Sequence, residues 1–310
     1  MPKINAIKHK LPTTHEEWLN NRLAGIGGSD AGAVLGINKY KSPYALWCEK
    51  TGRIKNNIDN ERMRFGRDME EYVSKRFEEA TGKKVRKSGF SFQSKEYPFM
   101  LANVDRLVVG EDAGLEIKTT SEYNKKTYDA ENIPPEYYAQ CMHYMAVTGL
   151  SKWYIAIYIP GVNLYIYEVL RDKEEIGALI NAESTFWSYV ENDQEPPIDG
   201  SDSTAEALYK LHPESMDDVL NMTSRQDELK RYIELKDKIK ELEGEKKEFE
   251  NTFKHDLGDC ELGFTDSFKI SWKSQKRNSV DSKKLKTEFP EIYNHVLKTS
   301  SSRVFTIKEI

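Results

Sequence analysis

The sequence has 310 residues, 38% of them hydrophobic and 11% aromatic, which is enough for a folded core and excludes a wholly disordered chain. Charged residues make up 31%, and the net charge of -5 argues against a polycation that coats nucleic acid, although a DNA enzyme needs only a local basic track. The three scattered cysteines predict neither a disulfide framework nor a zinc site, and without a long apolar run or a signal peptide the chain is expected to be soluble, cytoplasmic and independent of membranes.

The first part of the chain is predicted to contain helices followed by strands. The segment THEEWLNNRLA predicts an opening helix with Thr14 as its N-cap, and the small-residue turn GIGGSDAGAVLG leads into a second helix. An amphipathic helix is predicted over residues 65–82, ending at Gly82. Three strands are then predicted over residues 88–93, 99–109 and 113–119.

A helix and a hairpin complete the predicted domain. The helix lies in IPPEYYAQCMHYMAVTG and ends at Gly149, and the segments WYIAIYI and NLYIYEVL predict the hairpin. This order is not a regular βαβ repeat. It predicts a mixed α/β (α+β) core, with a central mixed β-sheet flanked by helices, over residues 1–199.

The composition changes after the run EPPIDG. Residues 200–226 are predicted to be a linker or helical connection. Residues 227–310 are predicted to combine a long charged helix with a small basic strand–helix–strand extension, whose strands lie in FKISW and RVFTIKEI. The apolar stripe of the long helix, separated by Lys/Glu pairs, comprises Leu235, Ile239, Leu242, Phe249 and Phe253.

The segment NVDRLVVGEDAGLEIKTT is the most informative for chemistry. Glu116 and Lys118 flank Ile117 on one predicted strand, so their side chains share a face. A short glycine-bounded turn folds this strand against the preceding one and can bring Asp105 beside Glu116. Two such carboxylates repel each other unless a cation lies between them, and hard oxygen ligands suit Mg²⁺ or Mn²⁺. An ordinary Glu–Lys pair on a solvent-facing strand is the alternative interpretation.

Asp105, Glu116 and Lys118, with a carboxylate on an upstream helix, resemble the PD-(D/E)XK nuclease core, although the proline of that name is absent here. Over residues 15–190 the chain more closely resembles the YqaJ-type viral recombinase and phage lambda exonuclease-like family, with four motifs in the same order. The resemblance implies a restriction-endonuclease-like fold and a catalytic Lys118. It also implies that Asp105, Glu116 and the backbone carbonyl of Ile117 bind Mg²⁺, with Mn²⁺ as a substitute and room for a second ion.

Two helical motifs belong to the same resemblance. It assigns Glu70 to the catalytic and metal site, with Glu71 as a competing candidate that lies about 100° away around the helix. It places the catalytic residues Tyr137 and Gln140 near the lysine, and their spacing puts both on one helical face. Taken alone, either glutamate would be a solvated charge, Tyr137 a core residue and Gln140 a surface residue.

A third set of residues is expected to contact DNA. In the family, residues matching Arg22 and Ser29 hold the 5′-phosphate of the recessed strand, and a guanidinium, a hydroxyl and the amides of a helix start do form an anion site. Alternatively, Ser29 or Asp30 is only a helix cap. Trp18 could stack on a terminal base or be a buried helix residue. A C-terminal basic cluster, either a DNA track or a solvated surface, includes Lys273, Lys276 and Arg277.

These features together predict a metal-dependent 5′→3′ exonuclease. It would hydrolyse one strand of linear double-stranded DNA and leave 3′ single-stranded tails for phage-type homologous recombination. An endonuclease or single-strand nuclease on the same core is one alternative, and a non-catalytic module that binds DNA ends or proteins is another. From the resemblance we expect DNA ends and a single-strand annealing protein as partners, and a homo-oligomer such as the ring-shaped trimer of the lambda member.

Overall fold

The computed structural model describes residues 4–55, 60–129, 131–299 and 302–308. The chain divides into two compact units, residues 1–213 and residues 214–310. In the described part, the first unit combines helices with two β-sheets, and the second combines one long helix with a small hairpin and short helices.

Local capping signals set the ends of several helices. Thr14 accepts a hydrogen bond from the Glu17 amide, and Gly82 and Gly149 end two helices with φ angles of 71° and 76°, as the sequence predicts. The α-helices described in the first unit are α1 (His15–Leu23), α2 (Gly28–Val34), α3 (Pro43–Lys50), α4 (Glu61–Thr81), α5 (Pro135–Thr148), α6 (Lys173–Glu191) and α7 (Asp202–Leu211). Of these, α3 and α6 were not predicted.

Two sheets form the framework of the first unit. Their strands are β1 (Ile7–Lys10), β2 (Ile26–Gly27), β3 (Val85–Arg86), β4 (Phe90–Gln93), β5 (Met100–Ala102), β6 (Arg106–Val108), β7 (Ala113–Thr119), β8 (Lys152–Ile159) and β9 (Asn163–Leu170). One sheet has the order β1–β4–β5–β2 and the other the order β3–β6–β7–β8–β9. In the five-stranded sheet β7 and β8 are parallel and the other neighbours are antiparallel, so the sheet is mixed.

Helices cover both faces of the five-stranded sheet. Because successive side chains of a strand alternate between faces, Trp153, Ile155 and Ile157 of β8 join an apolar cluster with α5. Tyr154 and Ala156 join a second cluster with α4. The predicted class, a mixed α/β core with a central mixed sheet between helices, is therefore confirmed.

The apolar segment predicted as one strand over residues 99–109 forms two strands in different sheets. β5 pairs with β4 and β2, whereas β6 pairs with β3 and β7. Residues 103–105 between them pair with neither sheet. The prediction of a single strand is wrong because one continuous apolar run serves two sheets, and Asp105 lies at the bend where the chain passes from one to the other.

The predicted connection over residues 200–226 contains α7, which packs against α3. Thr204 Oγ1 donates a hydrogen bond to Ser42 Oγ at 2.8 Å, and Ala207 is buried. The boundary between the two units, after Pro213, falls within this connection. The proposed extents of the two flanking domains stay predictions.

The second unit contains the long helix expected from the Lys/Glu spacing. Its elements are α8 (Gln226–Leu257), β10 (Leu262–Phe264), β11 (Lys269–Ser271), α9 (Ser282–Glu288) and α10 (Pro290–Val296). The strand predicted in FKISW is β11, but its partner is β10. The strand predicted in RVFTIKEI is wrong for residues 303–308, which form no strand, and its last two residues lie outside the described residues. The nearby β10 pairs with β11 instead, because a short connection loses less loop-closure entropy than a long one. Among the described helices, none combines the length and hydropathy that a membrane crossing requires.

Candidate active site

The β6–β7 hairpin brings the predicted carboxylates together. Arg106 pairs with Leu115 in the strand register, so the residue before β6, Asp105, lies opposite Glu116. The Ile117 amide donates a hydrogen bond to Asp105 Oδ2 at 2.8 Å, which fixes the aspartate against β7. The bend before β6 therefore aims Asp105 at the strand that carries the other candidate residues.

Alternation along β7 separates its polar and apolar side chains. Leu115 and Ile117 belong to the cluster under α4, so Glu116 and Lys118 face α5. Lys118 Nζ lies 2.7 Å from Glu116 Oε1. Glu116 is only 3% exposed, which rules out the alternative of an ordinary pair on a solvent-facing strand.

Helix α5 completes this cluster from the opposite side. Gln140 Nε2 donates hydrogen bonds to Glu116 Oε1 and to the Tyr144 hydroxyl, each at 2.8 Å. The Lys118 ammonium lies 5.1 Å from the centre of the Tyr137 ring, within cation–π range. Gln140 is buried and Tyr137 half-buried, so the predicted helical face does turn toward the lysine.

The electrostatics of the cluster favour a bound cation. Burial, together with the charges of Glu116 and Glu70, raises the pKa of Asp105 well above its usual range, and Lys118 opposes this rise only in part. Glu116 Oε2 is buried without a hydrogen-bond partner in the described structure. Carboxylate oxygens with uncompensated charge suit a hard divalent cation, so the residues present fit Mg²⁺ or Mn²⁺.

The donor set for such an ion is small. Within the described ranges, no group of three or more His, Cys, Asp or Glu side chains is arranged to hold a metal. An ion at this cluster would therefore depend on the carboxylates of Asp105 and Glu116 completed by backbone or water oxygens, which is a common arrangement for Mg²⁺.

The two competing glutamates of α4 share one partner. Arg106 lies 3.3 Å from Glu70 Oε2 and 3.3 Å from Glu71 Oε2, and its side chain is only 3% exposed. The Glu70 side chain is 31% exposed and that of Glu71 63%. Because the charge of Glu70 also contributes to the raised pKa of Asp105, the geometry favours Glu70 as the residue closer to the site.

The second candidate site lies at the start of α2. Arg22 Nη2 is 3.4 Å from Ser29 Oγ and 3.5 Å from Asp30 Oδ1. Buried Lys50 donates to Asp30 Oδ2 at 2.6 Å and to the Arg22 carbonyl at 2.7 Å. Although burial alone would raise it, Lys50 and Arg22 hold the pKa of Asp30 well below its usual range. The helix cap itself is Gly27, whose amide donates to Asp30 Oδ2.

The two candidate sites are connected through one tyrosine. A Cβ on Gly28 would lie 2.4 Å from Tyr144 Cε1, so only glycine allows the ring to pack against the start of α2. The hydroxyl of the same tyrosine accepts the hydrogen bond from Gln140, which also holds Glu116. Two side chains, Tyr144 and Gln140, therefore connect the start of α2 to Glu116.

The remaining predicted DNA contacts stay predictions. Trp18 lies on α1, and its side chain is outside the described residues. The three basic residues are exposed and belong to the second unit, in the segment after β11: Lys273, Lys276 and Arg277.

Three residues that line the candidate sites were not singled out from the sequence. Arg106 follows Asp105 in an apolar strand, and a buried arginine there is a signal for an ion pair. Tyr144 lies four residues after Gln140, one helical turn along the same face. Lys50 carries no local signal, because its partner Asp30 becomes its neighbour only through tertiary packing.

Among solved structures, the chain is similar to an alkaline exonuclease (LHK-Exo) from Laribacter hongkongensis. The sequences are 22% identical, the match covers 57% of this chain and 93% of that chain, and the TM-score is 0.49. A phage related exonuclease from Haemophilus somnus 129PT matches with 13% identity, covering 57% of this chain and 99% of that one, with a TM-score of 0.41.

Relatives in sequence give a closer match. Protein D345L of African swine fever virus is 33% identical over 72 residues, 23% of this chain and 21% of that protein. The protein described as "Uncharacterized protein YqaJ" from Bacillus subtilis (strain 168) is 41% identical over 303 residues, 96% of this chain and 95% of its own length. Residues 17–151 match the YqaJ-like viral recombinase domain, and they contain both candidate sites. The chain therefore belongs to the YqaJ-like viral recombinase family.

Proposed function

We propose that the protein is a metal-dependent 5′→3′ exonuclease that digests one strand of linear double-stranded DNA. The observation that carries this proposal is the convergence of Asp105, Glu116, Lys118 and Gln140 between β7 and α5. A nuclease of this kind would leave 3′ single-stranded tails, the substrate that a single-strand annealing protein needs for recombination.

Asp105 and Glu116, with the Ile117 carbonyl, would hold Mg²⁺, and Mn²⁺ would substitute for it. When bound there, a divalent cation would supply polarisation of the phosphodiester and a lower pKa for an adjacent water. Gln140 holds one oxygen of Glu116 and leaves the other, Oε2, available as a ligand. Glu70 would assist a second ion, but it would first have to loosen its contact with Arg106.

Lys118 is the proposed catalytic cation. Although burial alone would lower it, the Glu116 carboxylate raises the pKa of Lys118, so the ammonium stays protonated at neutral pH. Its contacts with Glu116 and the Tyr137 ring fix the ammonium beside the carboxylates. From there it would orient the attacking water and offset negative charge on the scissile phosphate.

Arg22 and Ser29 are the proposed 5′-phosphate site. Arg22 and Lys50 both pair with Asp30, so two positive charges meet one negative charge near the start of α2, a balance that favours an anion. A phosphate held there would set the strand end relative to the carboxylates through the short connection that Tyr144 makes. This arrangement supports digestion from the 5′ end.

The test compares three DNA substrates of equal sequence: linear duplexes with 5′-phosphate or 5′-hydroxyl ends, and a closed circle. We expect fast release of nucleotides from 5′-phosphate ends, slower release from 5′-hydroxyl ends and no cleavage of circles. Arg22→Ala should reduce the preference for 5′-phosphate about tenfold, whereas Arg64→Ala, which removes an exposed arginine of α4, should leave it unchanged.

Other outcomes assign other functions. Cleavage of circles would identify an endonuclease, and preferential digestion of unpaired DNA would identify a single-strand nuclease. Binding of DNA ends without any release of nucleotides in Mg²⁺ or Mn²⁺ would identify a non-catalytic end-binding module. Each of these results contradicts the proposed exonuclease.

A further inference from the structure

The long helix α8 carries an apolar stripe that nothing in the described chain covers. The helix has 32 residues. The large apolar side chains of the stripe are 44–55% exposed, namely Tyr232, Leu235, Ile239, Leu242, Phe249 and Phe253. A helix of this length with one apolar face is stabilised mainly by packing that face against a partner.

The spacing of the stripe is that of a coiled coil. Counting Tyr232 as heptad position a, the a positions continue at Ile239, Lys246 and Phe253, and the d positions are Leu235, Leu242 and Phe249. Six of these seven positions are apolar. A repeat of seven residues, rather than the broader 3.6-residue stripe of a helix on a globular core, indicates pairing with another helix.

The charges beside the stripe indicate which helix. Lys236 and Glu243 occupy e positions, and Lys238 and Glu245 occupy g positions. None of these four forms an ion pair among the described residues. If a second α8 lies antiparallel, so that Ile239 faces Leu242 of the second copy, Lys236 meets its Glu243 and Lys238 meets its Glu245. Two-fold symmetry repeats both contacts, giving opposite charges at all four places.

A parallel pair would be less favourable. It would bring Lys238 near Glu243 of the second copy, an attractive contact. It would also place Arg231 near Lys236 and Glu245 near Glu250, both like-charge contacts, and would stack Lys246 on itself in the seam. In the antiparallel register Lys246 instead faces Leu235, where its aliphatic stem can cover the leucine while the ammonium reaches water. If the antiparallel register slides by one heptad, Glu243 faces Glu243 of the second copy or Lys236 faces its Lys236, and both are like-charge contacts.

We propose that α8 forms an antiparallel two-helix coiled coil with α8 of a second copy of this chain. This contact would join two copies of the chain through their second units. The inference does not rest on the proposed nuclease function, because it uses only residues of α8 and its test measures mass rather than DNA cleavage.

The test is sedimentation equilibrium of the full-length protein over a range of concentrations. The wild type should show a reversible association step that doubles the mass. The variant E243K/E245K places lysine against lysine at all four contacts, and K236E/K238E places glutamate against glutamate. Each should raise the dissociation constant of this step roughly tenfold or more, since like charges across an interface are strongly unfavourable.

Two further samples distinguish the antiparallel pair from general charge effects. An equimolar mixture of E243K/E245K and K236E/K238E restores every attractive contact and should associate as tightly as the wild type. The control E241K/E248K makes the same change in net charge at c positions, away from the seam, and should associate normally.

Three results would overturn the proposal. One is a wild-type protein whose mass does not double at any concentration in the range. Another is equal weakening by E243K/E245K and by the control. The third is a mixture that stays dissociated, which would indicate that the stripe has a different partner.

Discussion

Glu116 is the residue on which the candidate site depends, because its two carboxylate oxygens have different surroundings. Oε1 receives hydrogen bonds from Lys118 and Gln140, whereas buried Oε2 has no partner in the described structure. A buried anionic oxygen without a partner is unfavourable by itself, and a divalent ion shared with Asp105 would relieve it.

The first prediction concerns the binding of the ion. Calorimetric titration of the metal-free protein with Mn²⁺ measures its dissociation constant. This constant should rise about tenfold or more in Glu116→Gln and in Asp105→Asn, since each variant removes one anionic ligand. Asp112→Asn is the control. Asp112 lies in the turn of the same hairpin, and its carboxylate accepts a hydrogen bond from the Ser151 amide. If both ligand variants bind Mn²⁺ as tightly as the control, the carboxylates do not share an ion.

Sequence spacing puts Glu116 and Lys118 on one face and allows Asp105 to lie beside Glu116, because a hairpin with a short turn has few registers. The spacing of Tyr137 and Gln140 likewise follows from helical geometry. The partners supplied by distant segments could not be found in this way. Arg106 contacts α4, and Lys50 reaches Asp30, only after the elements have packed.

At the scale of elements, a buried ion pair joins α5 to α6. His143 Nδ1 lies 2.7 Å from Glu183 Oε1, and His143 Nε2 lies 2.8 Å from the Leu101 carbonyl. Both ring nitrogens face acceptors, so the doubly protonated imidazolium can donate to each. Although burial alone would lower it, Glu183 raises the pKa of His143.

The second prediction is a pH dependence of stability. A histidine whose pKa is raised by folding contributes stability that is fully present below its unfolded pKa of about 6.5 and is lost as the pH rises through the folded value. The free energy of unfolding, measured by denaturant titration, should therefore fall above about pH 6.5 in the wild type. The variant H143Q/E183Q should lack this component.

The control for this experiment is His9→Gln, which changes an exposed histidine on β1. It should keep the pH dependence of the wild type. A double variant H143Q/E183Q with an unchanged pH profile would show that the buried pair does not titrate as described.

Elements with local signals were predictable, and those defined by tertiary contacts were not. The ends of α4 and α5 follow from Gly82 and Gly149, which adopt positive φ. The break in the run over residues 99–109 has no local signal, because its two halves differ only in the sheet that each joins. The start of α3 does carry a local signal, the N-cap Ser42 followed by a proline at the first helical position.

At the scale of the whole molecule, the compact first unit, residues 1–213, includes helix α7. Helix α7 buries Ala207 and binds Ser42 through Thr204, so it completes the apolar cluster around Trp47. A boundary before α7 would expose that cluster, whereas a boundary after Pro213 would not.

The third prediction compares fragments 1–213 and 1–199. The shorter fragment should unfold at a temperature lower by roughly 5 °C or more, because it loses buried Ala207 and the partly buried Leu208 and Leu211. Thermal unfolding followed by circular dichroism measures the difference. Equal melting temperatures would mean that α7 does not stabilise the first unit.

The most direct test of the account is the digestion of a linear, 5′-phosphorylated duplex in Mg²⁺ by the wild type, Lys118→Ala and Lys152→Ala. Lys152 is the matched control. It lies on the adjacent strand β8, at the opposite end of the β7–β8 pair from Lys118, and forms an ion pair with Glu168. We expect Lys118→Ala to lose at least about 100-fold in the rate of nucleotide release while still binding DNA, and Lys152→Ala to cut like the wild type. Chelator should stop all three. Normal turnover by Lys118→Ala, or digestion that continues in chelator, would contradict the account.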